Sequence, residues 1–186
     1  MVGTLAAVLV VAGAAVTAGA TGAAKTNTPK LTFSGAVEGE AKGGKVVCVE
    51  STKAKPGTQT PGLQLGVRLV NFRVAESTNS NMLVVFAGSN YAPGAHPFGE
   101  FWGTSTGVSV RFTYATYSGY SKVVFFGKEG TGSATLNADK KSGTINGDLT
   151  TGLIIDGFRK ADTSRAVASG DVHVEGSFAC DKVTKH

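Results

Sequence analysis

The chain of 186 residues is long enough for one domain with a substantial core, and only 17% of its residues are charged. Its 26 glycines, with abundant Ser and Thr, favour many short strands joined by tight turns over a helical protein. The formal net charge of +5 comes from scattered Lys and Arg, with no run longer than Lys140 and Lys141. This pattern does not support nucleic-acid binding.

The first segment predicts a secretory signal peptide over residues 1–24. Residues 5–18 form an uncharged apolar run, and small residues follow at the positions that a signal peptidase reads. No Lys or Arg precedes the run, which departs from the usual pattern. Because the run is short and rich in Ala and Gly, we expect no transmembrane span in the mature form. The expected location is secreted or at the cell surface.

One domain is predicted over residues 31–180, preceded by a polar arm over 25–30 and followed by a polar tail over 181–186. No repeat of fixed period and no linker divides it. Its alternating segments predict a single all-β domain, an antiparallel β-sandwich or flattened barrel of about eight to ten strands.

The first strands are predicted over residues 31–40 and 45–50, joined as a hairpin by a turn at residues 43–44. Residues 63–74 change their apolar parity midway, which predicts a bulge or a strand that passes from one sheet to the next. Residues 82–87 form an unbroken apolar run, which is typical of a strand covered on both faces.

The stretch 88–106 is predicted to be the longest irregular loop, with large aromatic side chains between Gly and Pro. Such a loop is uncommon in a compact domain unless it has a task or caps the core. One hypothesis is a binding surface for a lipid or carbohydrate, because aromatic rings offer such ligands a large apolar area. The alternative is that the rings plug one end of the core. The candidate ligand-binding residues are Tyr91, Phe98, Phe101, Trp102, Tyr117 and Tyr120.

The second half of the chain continues with strands. Residues 108–114 alternate clearly, and a turn at 116–120 leads into a strand over 122–127. The strongest predicted hairpin spans 134–149, with its turn at 139–143.

The last strand is predicted over residues 170–180, where alternation places Cys180 on the inner face. The other cysteine, Cys48, lies in the early segment KVVCVES. In an exported chain these two residues favour one disulfide bond, which would tie the last strand to one of the first. The alternative, a thiol nucleophile, lacks a neighbouring base in the sequence.

The sequence contains neither a phosphate loop nor a dinucleotide fingerprint. Asp171, His173 and Glu175 form the one metal-like group, but three ligands on one strand diverge from a common centre, so a solvated face is favoured. The sequence therefore predicts a protein that is not an enzyme and holds no cofactor or metal.

The segments SGAVEGEAKGGKVVCVES, GSATLNADKKSGTINGDLTT and VHVEGSFAC resemble the mycobacterial and actinobacterial surface lipoprotein antigen family. The resemblance covers residues 31–50 and 131–180, and in that family the early Cys pairs with the terminal one. It implies a small antiparallel sandwich on the cell envelope, without enzymatic residues. The lipidation Cys of that family is missing after the leader, so we expect a mature protein without lipid.

Together these features predict a non-catalytic secreted or cell-envelope protein that acts through surface contact. The expected partner of such a protein is a cell-envelope lipid, a glycan or a host protein. The alternative function is a lipid- or carbohydrate-binding module that uses the aromatic loop over residues 91–102.

Overall fold

The structure is a computed structural model that describes residues 28–51, 64–100, 107–116, 121–156 and 170–186. These residues form eleven strands and a short 3₁₀ turn at Gly88–Tyr91, which confirms the predicted all-β class. The strands are β1 Lys30–Gly35, β2 Gly39–Glu40, β3 Lys45–Ser51, β4 Gln64–Phe72, β5 Ser80–Ala87, β6 Gly94–Gly99, β7 Val108–Thr116, β8 Ser121–Leu136, β9 Ser142–Asp156, β10 Asp171–Ala179 and β11 Val183–Lys185.

The described strands belong to one continuous sheet, which curls into a half-barrel and does not separate into two distinct sheets. Its order is β11-β3-β4-β5-β7-β6-β8-β9-β10-β1-β2, and β7 also pairs with β8. The pairings β11–β3 and β6–β7 are parallel, and the others are antiparallel. The strand number exceeds the prediction because β2, β6 and β11 are short or rich in Gly and lack an alternating pattern.

The curl brings phenylalanine rings from distant strands together in the core. The centroid of the Phe112 ring on β7 lies 4.7 Å from that of Phe33 on β1 and 5.6 Å from that of Phe125 on β8. Phe86 on β5 likewise contacts Phe178 on β10, with 6.3 Å between centroids. Each fully buried apolar side chain contributes about 1.5–3 kcal/mol, so these contacts hold the curled sheet around one core.

A disulfide bond joins Cys48 and Cys180, with 5.9 Å between their Cα atoms. This confirms the predicted pairing. Cys48 lies in β3 and Cys180 directly follows β10, so the bond connects strands far apart in the sheet order. The chain then continues into β11, where Val183 pairs with Cys48 at the edge of the sheet.

The parity change predicted for residues 63–74 is confirmed as a bulge. The register of β4 with β5 shifts between Leu69 and Phe72, and Asn71 adopts a φ of 59°. The side-chain oxygen of Asn81 accepts the N–H of Asn71 at 3.0 Å. Leu69 before the bulge and Phe72 and Val74 after it are all buried, so both apolar sets reach the same core.

The hairpin predicted between residues 31–40 and 45–50 is wrong. β1 pairs with β10 and β2, whereas β3 pairs with β4 and β11. The chain between them is held against β4, since Lys42 forms a bridge with Arg73. A Cβ atom at Gly44 would lie 2.8 Å from the Phe72 Cβ, so the glycine lets the backbone pack on β4.

The stretch 88–106 is not irregular throughout, since the 3₁₀ turn and β6 lie within it. The segments predicted as separate strands over 122–127 and 134–138 are joined in one long strand, β8, which ends at Leu136. Its register with β9 shifts between Gly127 and Gly132. Other strand predictions are confirmed: β7 and β10 alternate as expected, and β8 and β9 form the predicted hairpin.

Candidate functional site

Phe98, one of the predicted ligand-binding residues, lies entirely inside the protein with 0% of its surface exposed. Its ring packs against glycines on β8 and β9. A Cβ atom at Gly132 or Gly147 would lie 2.6 Å from the Phe98 Cε2 atom, and one at Gly127 would lie 3.0 Å from its Cδ2 atom. These glycines make the space that the ring fills, so Phe98 stabilises the core.

Tyr91 is also buried, with 7% of its surface exposed, and its hydroxyl donates a hydrogen bond to Glu50 Oε2 at 2.6 Å. The Nζ of Lys140 lies 4.4 Å from the Tyr91 ring centroid, and the Nζ of Lys185 lies 3.6 Å from Glu50 Oε1. Burial and the bond to Glu50 raise the pKa of Tyr91 to about 12. The same hydrogen bond lowers the pKa of Glu50. This polar cluster joins β3, β11, the 3₁₀ turn and the β8–β9 hairpin.

The other four predicted ligand-binding residues, Phe101, Trp102, Tyr117 and Tyr120, lie outside the described residues. Their role at a binding surface stays a prediction. The structure does not bring Tyr91 and Phe98 together at a surface, because each is enclosed by other parts of the protein.

The metal-like group on β10 lies on the outer face of the sheet, where Asp171 and Glu175 are exposed. His173 points to the neighbouring strand, with its Nδ1 2.7 Å from Asp148 Oδ1 on β9. In the part of the chain that the structure describes, no group of three His, Cys, Asp or Glu residues is placed to hold a metal ion.

The outer face of β3, β4, β5, β7 and the first part of β8 has a different character. Cross-strand register aligns Val47, Arg68, Leu83, Arg111 and Phe126 in one row. Arg68 is exposed and the other four side chains are partly exposed. The residues directly before and after each of them on its own strand face the core. We call the outward positions of β3, β4, β5, β7 and the first part of β8 the apolar half of the sheet. The outward positions of β9, β10 and β1 are called the polar half.

An open groove of about 280 Å³ lies in the apolar half beside the β4 bulge. It is lined by Arg68, Val70, Asn81, Met82, Leu83, Arg111 and Thr113. At the bulge β4 and β5 lose their regular pairing, which leaves room between outward side chains on neighbouring strands. Met82, one of the lining residues, is buried. We refer to it below as the arginine groove.

Sequence reasoning missed this groove because β5 was predicted to be covered on both faces. The structure corrects this: Met82, Val84 and Phe86 are buried, whereas Leu83 and Val85 are only partly covered. The signal was present in the apolar run itself, since a strand with one solvated face should carry polar residues at alternate positions. The two arginines could not be placed beside it, because their register depends on strand pairing.

The described residues form an all-β, disulfide-linked protein with a single curled sheet and a groove on its outer face. In comparisons with known proteins, no family model, no curated protein and no solved structure matches this chain. Among the described residues, no helix has the length and apolar character required to cross a bilayer.

Proposed function

We propose that this chain is a non-catalytic secreted or cell-envelope protein that acts by surface contact through the apolar half. The observation that carries the proposal is the set of partly exposed aliphatic side chains at Val47, Val49, Leu83 and Val85. Antiparallel sheets with a solvated face carry polar residues at such positions. Contiguous exposed apolar surface is typical of sites that contact a partner or a membrane.

Export is supported by two features. The disulfide bond between Cys48 and Cys180 suits an oxidising compartment, because cytosolic thiols are kept reduced. The leader over residues 1–24 has the apolar run of a signal peptide. The resemblance of residues 31–50 and 131–180 to the surface lipoprotein antigen family agrees with an envelope location. The same proposal includes the sandwich-like domain that this resemblance implies.

The alternative, a lipid- or carbohydrate-binding module built on the aromatic loop, has less support. Phe98 fills a space lined by glycines and Tyr91 is bonded to Glu50, so neither ring offers a surface to a ligand. That function would depend on Phe101 and Trp102, with Tyr117 and Tyr120 as further contacts.

The proposal is tested by co-sedimentation of the purified protein with envelope fragments from the cells that produce it. Leu83→Asn with Val85→Asn places amides on the apolar half and should reduce the bound fraction about tenfold, which corresponds to about 1.4 kcal/mol. The matched control, Thr32→Asn with Thr144→Asn, places the same groups at exposed strand positions of the polar half and should bind like the native protein.

Thermal unfolding of both variants must first show that each remains folded. The proposal fails if the native protein stays in the supernatant, or if both double variants bind as well as the native protein. Equal loss in the two variants would also overturn it, because the two halves would then be equivalent.

A further inference from the structure

We propose that the arginine groove binds the phosphate headgroup of an acidic phospholipid, while the aliphatic side chains beside it contact the apolar part of the lipid surface. This inference rests on the proposed function and names the ligand of the same face. It follows from the charge, the size and the apolar surroundings of the groove.

The charges around the groove have one sign. Among the outward positions of the described strands β3, β4, β5, β7 and the first part of β8, the charged residues are Lys45, Arg68, Arg111 and Lys122. No Asp or Glu occupies an outward position of these strands where the structure describes them, so the charges on this face of the strands are positive. Electrostatic complementarity therefore favours an anion.

The two arginines lie on either side of one strand. Arg68 and Arg111 both pair with Leu83, so their backbones are separated by two strand spacings, or about 10 Å. Side chains as long as arginine reach across this distance to a shared anion. Guanidinium groups bind phosphate oxygens through two parallel N–H donors, which an ammonium group cannot reproduce.

Arg111 also takes part in an interaction within the protein. This does not prevent it from binding a ligand, because a guanidinium group carries five N–H donors. Arg68 is exposed at the other side of the groove. The proposal therefore requires only that both side chains direct some of their donors toward the groove.

The groove is large enough for a phosphate headgroup but too small for a whole lipid molecule. Its volume of about 280 Å³ is slightly below the range of about 300–1,000 Å³ found for pockets that enclose small molecules. A compact anionic group fits, and the remainder of its molecule must lie on the neighbouring surface. That surface is aliphatic at Leu83, Val85 and Val47, which favours an amphiphile over a soluble sugar phosphate or an acidic peptide.

The experiment measures co-sedimentation of the native protein with vesicles of phosphatidylcholine alone and of phosphatidylcholine mixed with phosphatidylglycerol. We expect binding to the mixed vesicles only. Arg68→Gln with Arg111→Gln should reduce this binding by about tenfold or more, that is by at least about 1.4 kcal/mol. Arg68→Lys with Arg111→Lys keeps the charge but removes the paired donors, so it should bind at an intermediate level.

The matched control is Lys30→Gln with Lys182→Gln, which removes the same net charge at exposed positions outside the apolar half. If it loses as much binding as the arginine variant, only general attraction to the membrane is present and the proposal is overturned. Equal binding to both vesicle types also overturns it. Binding of soluble glycerol phosphate as tightly as the mixed vesicles would contradict a lipid ligand, because the free phosphate would then suffice.

Failure of the lipid proposal can be distinguished from failure of the proposed function. If the Leu83→Asn and Val85→Asn variant no longer binds envelope fragments while the double Arg→Gln variant still does, surface contact stands and the lipid ligand fails. A folded arginine variant, verified by its thermal unfolding, is required for each comparison.

Discussion

The polar and apolar halves of the sheet share one core but differ in their outward residues. In the polar half, Asp148, His173 and Glu175 point to solvent, and His173 pairs with Asp148. In the apolar half, Leu83 and Val85 occupy equivalent outward positions. The inward residues alternate and are buried in both halves, so the core requires no aliphatic residue on the outside. The polar half thus shows that the fold does not require aliphatic side chains on its outer face. Those of the apolar half are therefore available for another role.

The largest expected effect comes from removing the covalent link between distant strands of the sheet. Cys48→Ala with Cys180→Ala releases a constraint across 132 residues of sequence. On the chain-entropy model the free energy of unfolding should fall by about 4–5 kcal/mol. Urea unfolding of the oxidised native protein, the reduced native protein and the double variant measures this loss. A loss below about 1 kcal/mol would mean that packing alone holds the halves together.

Two leucines on adjacent strands allow the stability contributed by a core side chain to be compared with that contributed by an outer one. Leu69 faces the core with 1% of its surface exposed, and its replacement by Ala should cost about 2–5 kcal/mol. Leu83 faces outward and is partly exposed, so the same replacement should cost less than about 1 kcal/mol. Urea unfolding of both variants makes the comparison. Similar costs would show that the apolar half is required for folding and would weaken its assignment as a contact surface.

A glycine packed against the core and a glycine on the outer face of the apolar half should respond oppositely to an added methyl group. At Gly132 the new Cβ would meet Phe98 Cε2 and the Gly147 Cα, so Gly132→Ala should cost about 1–3 kcal/mol. At Gly66 on the outer face of β4, the nearest atom is the Val49 carbonyl oxygen at 3.8 Å. Gly66→Ala should therefore be neutral or stabilise by up to about 1 kcal/mol. Thermal unfolding distinguishes the two, and equal destabilisation would contradict the tight packing of Phe98.

Much of the fold could be predicted from local alternation. The pattern of residues 170–180 predicted the buried side of β10. The parity change in residues 63–74 predicted either a bulge or a strand that passes between sheets, and the structure shows the bulge. The disulfide was predicted because the chain has only two cysteines and a leader typical of exported proteins, and the structure confirms it. The two strand predictions succeeded because each depends on which face of its own strand a side chain occupies.

Strand partners could not be predicted in the same way. The glycines at 43–44 are typical of a hairpin turn, but they let the backbone pack against Phe72 and leave β3 to pair with β4. The arginine groove was missed for a related reason. Arg68 and Arg111 are 43 positions apart in the numbering of the chain, and only the register of β4, β5 and β7 places both beside Leu83.

The smallest expected effect is an acid response at the turn between β8 and β9, which adjoins the polar half. The Asp139 carboxylate accepts the N–H groups of Lys141 at 2.8 Å and Ser142 at 3.0 Å, and it also accepts the Ser142 hydroxyl. Burial opposes the charged form, but these hydrogen bonds outweigh it and lower the pKa of Asp139 below its ordinary value of 3.8. The folded state therefore binds this proton less readily than the unfolded state does.

It follows that the contribution of Asp139 to stability is fully present above pH 3.8 and is lost as the pH falls below it, through the lower pKa of the folded state. Asp139→Asn keeps an oxygen acceptor but cannot titrate, so its stability should fall less steeply in that acid range than that of the native protein. Urea unfolding at a series of acid pH values measures both slopes. Parallel slopes would show that this turn does not sense acid, and that the acid response of the protein arises elsewhere in the sheet.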